Sequence, residues 1–444
     1  MAGSAHTLKR ELGLLQSTAI NMIDMVGIGP FIVLPIVIQI MGGPHFILAW
    51  LAGACLSIID GFIWSELGAA YPKAGGSYNF LKEAYPGKSG KLMSFLYVWQ
   101  TLIQAPLVAA SGAIGFAQYF SYFVPLGFWE KKIVSGIVVI LLTALLYRKI
   151  DSIGKIGVFL WTGVLVMFAW IIAGAIGFDN KVPYMDDLLN YPLEINRVLF
   201  AALGMASVKT IYSYLGYYNV CHLGGEIKNP GKIIPQSIFI SIIGIAVLYL
   251  SLNISIVSVI PWQEAMHSDF IISVYIEKIY GKIAANVATA LILWIAFASL
   301  FAVMLGYSRV PYAAAADGQF FKAFAKLHPT KKFPYVSLLA LGGTAFIFSL
   351  LFKLAEVISA ILAMRILVQF IGQAIAVVLL RRRKGIAHLP FKMPLYPLPV
   401  VAAVLIWAWI FFSTGKVFAV SGLAVIATGA IVFYLKESLA YKKQ

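Results

Sequence analysis

The chain is poor in charge. Of 444 residues only 12% are Asp, Glu, Lys or Arg, about half the share of a soluble domain. Cysteine is scarcer still. Cys55 and Cys221 stand alone, each inside an apolar run, which argues against a disulfide framework or a thiolate zinc site. Long polar stretches are missing too. The longest, 179–197, is a modest loop, so neither a soluble domain nor a low-complexity tract is expected. No paired acids, metal-ligand cluster or activated nucleophile has usable spacing. An enzyme is therefore not expected, and no cofactor or metal is implied. Nor is a cleavable leader, because the first apolar stretch is too long and lacks a small-residue cleavage site.

What is present is hydrophobic: 61% of residues, with a mean hydropathy of +0.88. This composition predicts an all-α polytopic protein whose solvent is the lipid bilayer. Segments long enough to cross ~30 Å at 1.5 Å per residue are 15–40, 46–71, 92–123, 133–147, 156–177 and 198–222. They continue at 238–259, 284–315, 335–351, 356–380, 398–412 and 417–435, about twelve in all.

The formal charge of +16 would suit a nucleic-acid binder, but its distribution points elsewhere. With the N-terminus inside, 24 Lys and Arg fall in cytoplasmic segments, from Lys9 and Arg10 through Lys149 and the run Arg381–Lys384 to Lys442 and Lys443. Eight fall outside, and Lys209 and Arg365 lie within the membrane. This bias places both termini in the cytoplasm and explains the basic pI without nucleic acid. The sequence sets no oligomeric state.

The first segment carries Val26-Gly27-Ile28-Gly29-Pro30-Phe31 at mid-depth. Broken backbone is tolerated there only where it is buried in protein or lines a cavity. The sixth repeats the oddity with Tyr212-Ser213-Tyr214-Leu215-Gly216-Tyr217-Tyr218-Asn219. Interruptions at matching places in two halves point to a carrier built from inverted repeats. The predicted layout is a single transporter domain with repeats over 1–178 and 196–381, and two further helices over 397–437.

Four motifs, in order, carry a family likeness. They are Gly27-Ile28-Gly29-Pro30-Phe31; Ser65-Glu66-Leu67-Gly68-Ala69-Ala70-Tyr71-Pro72 with Gly75-Gly76-Ser77-Tyr78; Gly225-Glu226-Ile227-Lys228-Asn229-Pro230; and Ser308-Arg309 with Ala313–Gly318. Together they resemble the amino acid–polyamine–organocation superfamily. That resemblance implies a LeuT-type 5+5 fold with helices one and six broken, and secondary transport of amino acids or related amines by alternating access. The alternatives are a polyamine symporter and a non-transporting amino acid receptor on the same scaffold.

Residue chemistry gives the break a polarity. Free N–H groups of Gly27, Ile28 and Gly29, with the positive end of a half-helix, would attract a carboxylate. Carbonyls released around Tyr212–Gly216, including Ser213 and Tyr214, would attract an ammonium. Asp24, at the end of the inner half-helix, is a candidate proton carrier, amine ligand or partner of Arg365, or a structural hydrogen-bonding group. Arg365 needs a partner, with Asp24, Asp60 and Glu66 available, and serves either coupling or structure. Lys209 is either an entrance charge or a snorkelling side chain.

The resemblance places Tyr212 and Tyr97 at gate positions, and Gln104, Tyr218 and Asn219 join the candidate contacts. It also shows departures. Val164 stands where many members have a helix-five lysine. Tyr218 stands where polycation carriers often have an acid, and Ile28 replaces a serine. The expected cargo is a small-molecule amino acid, with protons rather than sodium as the coupling ion, or exchange.

Overall fold

The computed structural model describes residues 10–148 and 150–441. Lys9, Lys149, Lys442 and Lys443, counted above for topology, lie outside the described residues. The described chain is nearly all helix, with two isolated bridges, Leu12 to Ile227 and Ala74 to Leu223, in place of strands.

The first predicted segment is two helices, α1 (Leu14–Met25) and α2 (Gly29–Met41), bent by 43° across the break. Then come α3 (Ile47–Ala70), α4 (Gly87–Phe120), α5 (Phe128–Leu146) and α6 (Ile150–Gly177). The sixth segment also divides, into α7 (Arg197–Tyr214) and the short α8 (Asn219–His222). There follow α9 (Pro230–Val257), α10 (Lys282–Tyr307) and α11 (Tyr335–Leu351). The tenth segment is α12 (Leu354–Arg365), a π-helical turn (Ile366–Ile371) and α13 (Gly372–Lys384). Last are α14 (Leu398–Ser413) and α15 (Lys416–Tyr441).

Among the described residues seven helices are long and apolar enough to cross a membrane, and the bent α1–α2 pair is an eighth. Two shorter apolar helices, α11 and α14, bring the number to ten. Of the twelve expected segments, α5, with Glu130, Lys131 and Lys132 near its start, and α7, which carries Arg197 and Lys209, fall below that standard.

Amphipathicity is weak in these helices because bilayer and protein interior are both apolar. Burial is instead read from polarity. Asp60, Gln100, Gln104, Asn253, Arg365 and Gln369 are all at most 1% exposed, polar side chains turned inward, away from lipid. The broken spans α1–α2 and α7–α8 lie in the middle of the bundle. There α1 packs on α6, α9 and α10, while α2 packs on α7.

Two contacts fix how the breaks are held. The Tyr249 hydroxyl on α9 lies 2.7 Å from the Met25 carbonyl and 3.0 Å from the Ser213 carbonyl. Asn21 Oδ1 on α1 accepts the Val220 N–H of α8 at 2.8 Å. One side chain thus bridges the ends of both half-helices, and another joins the inner halves.

Candidate functional site

Both interruptions open on one cavity. Asp24, Gly27, Ile28 and Gly29 line it from the first break, and Tyr212, Ser213, Gly216 and Tyr218 from the second. Helices α4, α10 and α12 supply the remaining wall, including Val108, Ser299, Tyr307 and Arg365. The space open to the centres of water-sized spheres is about 50 Å³, several times the ~10–15 Å³ that one water needs.

The donor end differs in detail from the sequence expectation. Pro30 occupies the first turn of α2, where its missing N–H costs nothing. The Gly27 N–H is not free: it donates to the Met25 carbonyl at 3.1 Å, because the chain turns tightly after α1. Ile28, outside both helices, has no acceptor among the described residues, and Gly29 begins α2. The N–H groups left without an acceptor at this break, among the described residues, are therefore those of Ile28 and Gly29.

The acceptor end is corrected too. The Tyr212 carbonyl takes the Leu215 N–H at 3.4 Å, Ser213 is engaged by Tyr249, and the Gly216 carbonyl takes Asn219 N–H at 2.9 Å. The break reforms hydrogen bonds wherever it can. Tyr214 and Leu215 are left with carbonyls that accept nothing among the described residues. The Tyr214 ring itself turns away, onto Trp50 and Tyr249 at 6.2 and 5.2 Å between centroids.

Gly216 makes the second break possible. Its φ of +128° is disfavoured for L side chains, and an added Cβ would stand 2.7 Å from the Met25 nitrogen. The two breaks touch there, backbone to backbone.

Arg365 is 1% exposed and stands where α12 passes into the π-helical turn. Such turns often mark functional positions. Its Nε donates to Gln369 Oε1 at 2.9 Å, and an Nη2 hydrogen goes to the Tyr218 hydroxyl. Its guanidinium carbon is 5.0 Å from the Tyr218 ring centroid and 5.8 Å from that of Tyr307. Among the acids weighed for it, Asp60 is held by Tyr217, Trp64 and Trp407. Glu66 pairs with Arg381 at 2.5 Å and caps the Met393 N–H. Asp24 alone shares the cavity with Arg365, without forming a direct ion pair, and Asn219 stands beside its carboxylate.

Other predicted residues sit apart from the cavity. Tyr97 is buried on the α8 side, its hydroxyl 3.2 Å from His222 Nε2. Gln104 is buried near Tyr307. Asn219 donates to the Ala302 carbonyl at 2.9 Å. Lys209 donates to Ser359 Oγ on α12 at 3.1 Å, so it ties two helices together. Val164 is buried in α6. On the opposite side of the cavity, the Tyr212 hydroxyl is 2.7 Å from Ser111 Oγ.

Sequence reasoning missed Ser299, Tyr307, Tyr249 and His222. Ser299 Oγ donates to the Asp24 carbonyl at 3.3 Å. Ser299 and Tyr249 are single polar residues in long apolar runs, and that isolation was the only available signal.

Nearly the whole chain is similar to known proteins. A family model for amino acid permeases matches residues 12–434. The serine/threonine exchanger SteT of Bacillus subtilis is 26% identical, over 89% of this chain and 89% of its own length. The branched-chain amino acid permease BcaP of the same organism is 24% identical, over 97% and 93%. The human cystine/glutamate transporter is 25% identical, over 96% and 85%. With nearly its whole length matched, this chain belongs to the amino acid permease family, a family of multi-pass membrane transporters.

Proposed function

We propose that the protein carries small neutral amino acids across the cytoplasmic membrane by alternating access, as a proton symporter or an exchanger. One observation carries the reading: both helix interruptions end on the same small cavity, which also holds Asp24 and Arg365. The substrate carboxylate meets the Ile28 and Gly29 N–H groups at the start of α2. Its ammonium meets the carbonyls of Tyr214 and Leu215, with Asp24 nearby. The cavity size favours a short side chain, in keeping with relatives named for serine, threonine and branched-chain amino acids.

In this reading 1–178 and 196–381 are inverted repeats and both termini are cytoplasmic. Tyr212 with Ser111 closes one side of the cavity, and Tyr97 with His222 the other. Gln104 and Asn219, behind the wall, hold Tyr307 and Asp24 in place. An amine without a carboxylate would leave the α2 end unmatched, which disfavours polyamines.

The test is counterflow in proteoliposomes loaded with alanine, serine, threonine, leucine, glutamate or putrescine. Exchange of labelled serine or alanine that putrescine does not inhibit is expected. Stabilisation by an amino acid with no counterflow would instead make the protein a receptor, and exchange driven only by putrescine would make it an amine carrier.

A further inference from the structure

We propose a second binding site, for a small neutral amphiphile that donates a hydrogen bond, in a crevice between α4 and α11. The crevice has a volume of about 210 Å³ and is distinct from the central cavity, although Tyr307 borders both.

Its chemistry is set by two carbonyls that proline deprives of their usual donor and by one unpartnered serine hydroxyl. Pro106 lies inside α4, and Pro311 lies in the helix Arg309–Ala316 that continues α10. A proline has no N–H, so the carbonyl four residues earlier loses its usual donor. Those carbonyls belong to Leu102 and Tyr307, and all four residues line the crevice. Ser337, on the facing helix α11, is 1% exposed, and its hydroxyl has no partner. A buried polar group left so is costly. An occupant whose head donates to these oxygens would satisfy them. No charged side chain lines the crevice, so the head is neutral, such as an alcohol or a primary amide.

The tail follows from the rim. Ala340 and Thr344 are partly exposed, and Ile347, one turn further on the same face of α11, is 52% exposed. The crevice therefore opens onto apolar surface that faces the bilayer. An amphiphile dissolved in lipid enters sideways, with its tail along α11 and its head towards Tyr307. Its consequence for function rests on the transport reading above. Because Tyr307 also borders the central cavity beside Arg365, an occupant restrains that ring and slows the carrier cycle.

The binding test does not need transport. The full-length protein in lipid nanodiscs is irradiated with a photoreactive diazirine octanol, and adducts are mapped by mass spectrometry. Adducts within 101–106 or 337–344 are expected, suppressed about fivefold or more by excess 1-octanol and not by octane. Ala340→Phe and Thr344→Phe, each filling the crevice from its rim, reduce that labelling at least about fivefold while basal counterflow stays within about twofold of the unsubstituted protein. In the unsubstituted protein 1-octanol slows counterflow saturably, and Ala340→Phe resists it. Adducts scattered over the bilayer-facing surface, equal competition by octane, or unchanged labelling in both variants would overturn the site, as would a crevice that takes only water and acquires no adduct. Absent counterflow in untreated protein would refute the transport reading and leave the labelling result to decide the crevice.

Discussion

The Tyr217 hydroxyl donates to Asp60 Oδ2 at 2.5 Å. Asp60, on α3, also accepts from Trp64 Nε1 at 2.8 Å and Trp407 Nε1 at 3.3 Å. Tyr217 lies in the second break, one residue before the tyrosine that meets Arg365. The same tryptophans continue the network: Trp64 stacks on Tyr218 at 4.4 Å, and Trp407 stacks on Phe370 at 4.0 Å. One buried acid thus orders the rings around Arg365. Each such charge-assisted bond contributes about 1.5–3 kcal/mol. Tyr217→Phe removes one of them and should cost about that much. Asp60→Leu strands three donors and should cost more than roughly 4 kcal/mol. Thermal unfolding of the solubilised protein should rank them in that order. Equal melting temperatures would mean that the clamp contributes little.

Substitutions at the breaks should separate backbone geometry from helix chemistry. Gly216→Ala combines a strained φ with a Cβ 2.7 Å from the Met25 nitrogen, so it should abolish ligand binding. At Gly29 a Cβ would lie 3.1 Å from Ser213 Oγ, which is tight but movable. Gly29→Ala should therefore weaken binding, and Gly29→Leu should block it. Pro30→Ala leaves the α2 terminus usable and should stay within about threefold of the unsubstituted protein, a change of less than 1 kcal/mol. Substrate-induced thermal stabilisation measures all four. Pro30→Ala as severe as Gly216→Ala would count against anion binding at α2.

Asp24 and Arg365 line the same cavity without a direct ion pair, and their substitutions should give different phenotypes. Asp24→Asn removes the one acid among the described residues lining the cavity, which the proposed reading makes the proton carrier. Uptake by this variant should lose its rise with falling external pH while binding and folding persist. A retained pH response would remove Asp24 from coupling. Arg365→Ala should lose uptake, and Arg365→Lys should fail to restore it. Lysine has no planar fork to serve Gln369 and Tyr218 together. Recovery of more than about half the rate with lysine would reduce Arg365 to a point charge.

Much of this site was legible in the sequence because a break in a membrane span needs glycine or proline, and polar groups there need a reason. Gly27–Pro30 and Leu215–Gly216 announced both interruptions, and Arg365 announced a buried polar cluster. The pairing of acids was not legible. Asp60, Glu66 and Asp24 are each one carboxylate in an apolar run, and only the packing of α3 against α14 gives Asp60 to Tyr217 and Trp407. The open carbonyls were read too broadly: within 212–216 those of Tyr212, Ser213 and Gly216 are engaged, and those of Tyr214 and Leu215 stay open among the described residues. Which carbonyl stays open depends on where Tyr249 and the turn reach, and both are tertiary facts.

Glu226 provides a test of the far side of the bundle. Its side chain, 2% exposed, pairs with Arg309 at 3.4 Å. Its carbonyl accepts the N–H groups of Glu11 and Leu12 at 2.9 and 3.0 Å. This residue therefore ties the loop after α8 to the start of the chain and to the end of α10, on the side of the cavity where Tyr97 meets His222. Burial raises the carboxyl above its ordinary value of 4.5, against the opposite pull of Arg309. A closed form with a raised pKa binds the proton more tightly than an opened form in which water reaches the carboxyl. Protons therefore favour closure. The bias is fully present below the ordinary value and is lost as pH rises through the raised one. Hydrogen exchange of residues 223–229, corrected for its intrinsic pH dependence, should slow as pH falls across that window. Glu226→Gln should remove the trend, because it keeps the shape and loses the titration. A trend that survives in Glu226→Gln would assign it to another group and leave Glu226 with a purely structural tie.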